Sequence, residues 1–93
     1  MNIVAEMSLY PLKNGPIPTI IDFIHELRAQ DGIEIVTNQL SSQVSGSFEA
    51  VTSAVNRCME KVMASSDGTV VLVVKYLNVE KELDRAPTLT PED

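Results

Sequence analysis

Glu6, Ser8 and Tyr10 alternate along the first apolar segment of this 93-residue chain. Residues spaced by two project from the same face of a strand. A carboxylate, a hydroxyl and a phenol therefore share a side, and Ser41, Gln43 and Ser45 form a second polar set at the same spacing. If another surface covers that side, Glu6 must be paired, protonated or given a donor by a ligand. Apolar walls with a few convergent polar groups are the usual make-up of a small-molecule site. A network of bridging waters or of hydrogen bonds between subunits accounts for the same residues.

The remaining reactive side chains offer less. His25 stands alone beside an apolar helix stripe, with no second histidine to share a metal. Cys58 falls within the apolar stripe of a second helix and reads as a buried, inert thiol. Asn14-Gly15-Pro16 lacks the glycines and the following lysine of a phosphate cradle and reads as a turn. Lys75 closes the last strand, either contacting an anion or guarding an edge. No cofactor and no metal site are expected.

The elements that position these groups follow from hydrophobic spacing. In residues 2–10, Ile3, Ala5, Met7 and Leu9 alternate with polar positions, which predicts a strand ended by Pro11. A helix is expected from Pro18 to about residue 30, its stripe made of Ile17, Ile20, Ile21, Ile24 and Leu27. Gly32 is its expected left-handed stop. Residues 33–37 form a short strand, Asn38-Gln39 a turn, and residues 40–45 a third strand. Ser47 caps a second helix over 48–65, whose stripe includes Phe48, Val51, Val55, Cys58, Met59 and Val62. Residues 69–77 are the strongest strand. Residues 80–93 read as an acidic, mostly solvated tail, with a helical turn near 80–84.

Strand, helix, strand, strand, helix, strand in one short domain, residues 1–79, predicts an α+β fold of the ferredoxin-like type. A four-stranded antiparallel sheet would carry both helices on one face, with its first and third strands central. The opposite face would hold Glu6, Ser8 and Tyr10, flanked by Val4, Val36, Val71 and Val73. Exposed valines on a flat edge invite pairing, so self-association as a dimer or tetramer is expected.

Composition bounds the function. Seven basic residues against thirteen acidic ones give a net charge of −6, and the basic residues are scattered. That disfavours phosphate-backbone binding, so no nucleic-acid partner is expected. The single cysteine excludes an intrachain disulfide framework. Neither a signal peptide nor a membrane-spanning segment is visible, so no membrane insertion and a cytoplasmic location are expected.

The segment Ala5-Glu6-Met7-Ser8-Leu9-Tyr10-Pro11-Leu12 resembles the first strand of the small thiamine-binding proteins related to YkoF, which typically reads Glu-x-Ser-x-Tyr-Pro. Leu40-Ser41-Ser42-Gln43-Val44-Ser45-Gly46 is similar to that family's Met-Ser-Thr-x-x-x-Gly, although Asn38-Gln39 stands where the family often has Gly-Pro. The resemblance covers roughly residues 1–79. It implies a ferredoxin-like fold, oligomers built through the sheets, and binding of thiamine or its hydroxymethylpyrimidine moiety without catalysis. Glu6, Ser8 and Tyr10 match the first motif, and Ser41 and Ser42 the second. With Gln43 they make the expected ligand set, on the open sheet face or at a subunit interface. An aminopyrimidine suits carboxylate and hydroxyl partners, and a thiazolium cation suits Glu6 or the Tyr10 ring. The competing reading is a regulatory or assembly module similar to ACT domains, with its ligand near Asn14-Gly15. Enzymatic readings lack residues: no arginine precedes Arg28 to cradle a phosphate, and no Cys-x-x-Cys is present.

Overall fold

The computed structural model describes residues 1–79, together with 82, 83, 86, 87 and 89. Most of the expected acidic tail, including residues 80, 81 and 84 of its expected helical turn, lies outside the described residues. The alternation at the start of the chain produces β1 (Asn2–Pro11), whose Ile3, Ala5, Met7 and Leu9 are all buried. Next come α1 (Ile17–Arg28), β2 (Ile33–Thr37), β3 (Ser42–Ser47), α2 (Phe48–Ser65) and β4 (Val70–Leu77). The sheet order is β2-β3-β1-β4, antiparallel throughout. This is the ferredoxin-like α+β arrangement, with β1 and β3 central.

The core forms where one face of the sheet meets the helices. Met7, Leu27, Val44, Val51, Val55 and Cys58 are its largest fully buried side chains. Ile35, Leu72 and Val74 pack against them from the edge strands. Each fully buried aliphatic side chain contributes about 1.5–3 kcal/mol. On the other face, Val71 and Val73 stand exposed on β4, as their alternation requires, while Val4 is buried between its cross-strand neighbours Ser45 and Leu77.

Two glycines fix the backbone. Gly32 takes φ of +78° after α1, the left-handed turn expected there. Gly46 sits where β2 and β3 pass closely: a Cβ there would lie 2.8 Å from the Gly32 carbonyl oxygen.

Several expectations are corrected. The third strand begins at Ser42 rather than residue 40, because the Asn38 side chain builds a turn. Its Oδ1 accepts from Leu40 N at 2.9 Å and Ser41 N at 3.1 Å, and Asn38 N donates to Ser41 O at 3.0 Å. Leu40 is left 87% exposed in that turn. Strand β3 then runs through Gly46 to Ser47, which still caps α2 by accepting from Ala50 N at 3.1 Å. Pro11 ends β1 from inside, paired with Val70. In α1 the expected Leu27 is buried, together with Phe23, whereas Ile17 and Ile21 of the expected stripe are exposed: the packing face is rotated toward Phe23. Phe48, at the first turn of α2, is likewise half-exposed. No helix among the described residues is long and apolar enough to cross a membrane.

Candidate functional site

Antiparallel register sets Glu6 between Gln43 of β3 and Lys75 of β4 on the face away from the helices. Ser41, at the end of the hairpin turn, donates its hydroxyl to Glu6 Oε2 at 3.2 Å. Lys75 Nζ stands 3.6 Å from Glu6 Oε1. The Glu6 side chain is 37% exposed, so this carboxylate is held from two sides and still open to a ligand.

Two residues along, the Ser8 hydroxyl donates to the Leu40 carbonyl at 3.2 Å, tying the hairpin turn to the central strand. Tyr10, next on the same face, is exposed and pairs with Val71 across the sheet. The expected first-strand trio thus shares one face, and Ser41 and Gln43 join Glu6 there. Ser42 does not. It pairs with Met7 on the core side, is buried, and lies 3.0 Å from the Thr37 hydroxyl. Ser42 acts from the opposite face of the sheet, as part of the hairpin's own hydrogen bonding.

A cavity of about 240 Å³ opens between the hairpin turn, the end of β1 and α1. Ser8, Tyr10, Ile24, Leu40, Ser41 and Ser42 contribute to its lining. Pattern reading placed a turn at Asn38 and noted Lys75, but missed the bonds that the Asn38 side chain makes, the Leu40 carbonyl as an acceptor and the pairing of Lys75 with Glu6. An Asn three residues before Ser41 was the available signal for the turn. The partnership of Lys75 with Glu6 follows only from β-register.

A larger groove of about 610 Å³ runs beside α1 and α2. Two ion pairs line it: Lys13 pairs with Asp67 at 2.7 Å, and Lys61 pairs with Glu26. The bond from Lys13, aided by its charge, holds the Asp67 carboxyl below its ordinary range. Cys58 lies among the residues of this groove but is buried. Burial, then the Glu26 charge, pushes its thiol up, against the weaker pull of Lys61 and Arg57. A protonated, covered thiol is not a nucleophile. His25 is exposed on the same side.

No family model matches the chain, and no curated protein matches it. Solved structures do. A protein from Streptococcus pneumoniae is 23% identical, with a TM-score of 0.77 over 90% of this chain and 92% of its own. A hypothetical protein from Methanocaldococcus jannascii is 22% identical, with a TM-score of 0.69 over 95% of this chain and 88% of its own. A candidate thiamine biosynthesis/salvage protein from Thermotoga maritima is 14% identical, with a TM-score of 0.71 over 82% of each chain. At these identities the likeness is one of fold, and function must be argued from the site.

Proposed function

We propose that this chain is a non-catalytic binding protein for thiamine or its hydroxymethylpyrimidine moiety, of the kind related to YkoF, and that it works as a dimer or tetramer. One observation carries the reading. Glu6, held by Ser41, shares an open sheet face with Ser8 and Tyr10, and Ser8, Tyr10 and Ser41 also line a cavity of about 240 Å³. The carboxylate suits a cationic thiazolium or an exocyclic amine, and the exposed Tyr10 ring offers a face to a cation. The thiamine-related neighbour shares the fold and is consistent with this reading. Self-association is supported by β4, where Val71, Val73 and Leu77 leave 41–47% of their surface exposed on that same face.

Calorimetric titration of thiamine into the protein tests the proposal, with hydroxymethylpyrimidine and an amino-acid mixture as comparisons. Saturable thiamine binding that weakens in Glu6→Gln supports it. Absence of binding by either pyrimidine compound, in protein shown to be folded and oligomeric, overturns it.

A further inference from the structure

Strand β1 outruns β3. Their register stops at Met7↔Ser42, whereas the register of β1 with β4 continues to Pro11↔Val70. Residues 8–11 therefore have a strand neighbour on one side only. In an antiparallel strand, the N–H and C=O of one residue point to the same side, and the side alternates along the chain. Leu12 donates its N–H to Thr69 O at 2.8 Å, one step past the Pro11↔Val70 pair. Even-numbered residues here therefore address β4, and odd-numbered residues address the side that β3 has left.

Pro11 corroborates this phase. A proline survives inside a strand where its missing N–H faces no ladder partner. By the same alternation, the Leu9 N–H and C=O face the gap. Among the described residues neither group has a hydrogen-bond partner. The Leu9 side chain, in contrast, is 8% exposed and part of the core cluster, so this stretch of main chain is anchored from behind. Leu9 also contributes to the lining of the cavity of about 240 Å³.

Pockets that enclose drug-sized ligands span roughly 300–1,000 Å³, so this one takes a single ring. We propose that the main chain of Leu9 reads that ring: its N–H donates to a ring nitrogen and its C=O accepts from the exocyclic amine beside it. This rests on the proposed function and adds the atoms that select the aminopyrimidine. A donor and an acceptor side by side match an amine adjacent to a ring nitrogen. A ring that offers acceptors alone leaves the carbonyl unpaired. The ring thus stands in for the residue that β3 does not supply, and the rest of thiamine stays outside, on the side of Glu6.

Amide hydrogen exchange followed by nuclear magnetic resonance tests this without altering the protein. In the free protein the Leu9 amide should exchange far faster than those of Ala5 and Met7, which pair with β3. Saturating hydroxymethylpyrimidine should slow it by about tenfold, and the analogue lacking the amine should bind about tenfold more weakly. A Leu9 amide that is already protected in the free protein overturns the inference. So does binding of hydroxymethylpyrimidine that leaves Leu9 exchange unchanged, and in that case the proposed function stands. If no pyrimidine binds, the proposed function fails and the inference falls with it.

Discussion

The Ser41 hydroxyl and the Glu6 carboxylate, 35 positions apart in sequence, meet at 3.2 Å. That contact joins the hairpin turn to the central strand and fixes one oxygen of Glu6. The other oxygen faces Lys75 Nζ at 3.6 Å. A cationic ligand that approaches Glu6 must therefore displace an ammonium already there.

That competition separates two substitutions at one site. Glu6→Gln should weaken thiamine binding by about tenfold, because a charged acceptor is lost. Lys75→Met should tighten it by about two- to fivefold, the scale of an exposed ion pair. Lys75→Arg should behave as the parent. Neutral hydroxymethylpyrimidine should not respond to Lys75→Met. Calorimetry at two salt concentrations checks this: thiamine affinity should fall more steeply with salt in Lys75→Met, where no resident cation is exchanged.

Asn38 is the next test, because it shapes the turn that presents Ser41. Asn38→Ala removes the acceptor of two main-chain bonds. It should cost about 1–2 kcal/mol in urea unfolding and weaken thiamine binding through misplacement of Ser41. Asn38→Asp keeps the acceptor and should restore most of the stability. Equal losses in both variants would count against the role of the turn.

The Asn38 turn also shows why the sequence was legible in some places and not in others. Strand order and the placement of β1 and β3 at the centre followed from element order and crossover handedness. The buried face of β1 followed from strict alternation. The third strand was misplaced by two residues because Leu40-Ser41-Ser42 alternates acceptably as a strand, and only the Asn38 side chain decides against it. In α1, isoleucines at positions 17, 20, 21 and 24 fall within an arc of about 100°, one clean stripe. Periodicity pointed to that stripe, whereas tertiary packing turned the helix to one side of it and buried Phe23 with Leu27. The face of Glu6 was readable. Its contacts with Ser41 and Lys75 depend on turn geometry and register, which no local pattern encodes.

Gly46 should not tolerate a side chain. Its Cβ position lies 2.8 Å from a carbonyl oxygen of the backbone, which cannot swing aside as a flexible side chain can. Gly46→Ala should destabilise the fold by about 1–3 kcal/mol, measured by denaturant unfolding, by forcing β3 away from the Gly32 turn.

Cys58 predicts a response to alkali. Burial raises its thiol above the ordinary value of 9.0, so the folded state holds a proton that the unfolded chain releases. The sign follows: this stabilisation is whole below the unfolded value and is lost as pH rises through the folded value. Melting temperature should decline above about pH 9, and the decline should be shallower in Cys58→Ala, whose baseline is lower because of the cavity it leaves. A thiol reagent should label Cys58 at the rate of unfolding rather than on mixing.

The outward face of β4 makes the last prediction. Val73 lies opposite Ser8, and Val71 lies opposite the exposed ring of Tyr10, so the apolar patch adjoins the polar site. A second copy laid on this face would bury the patch, and the parent chain should sediment as a dimer or tetramer at micromolar concentration. Val73→Lys places a charge where that copy would sit and should yield a folded monomer. The cavity beside Leu9 and Leu40 is built by one chain, so this monomer should still bind hydroxymethylpyrimidine. Thiamine should lose affinity in it if the thiazolium rests against the second copy. A monomeric parent would remove the interface from the proposal and leave Tyr10, Val71 and Val73 as an open wall.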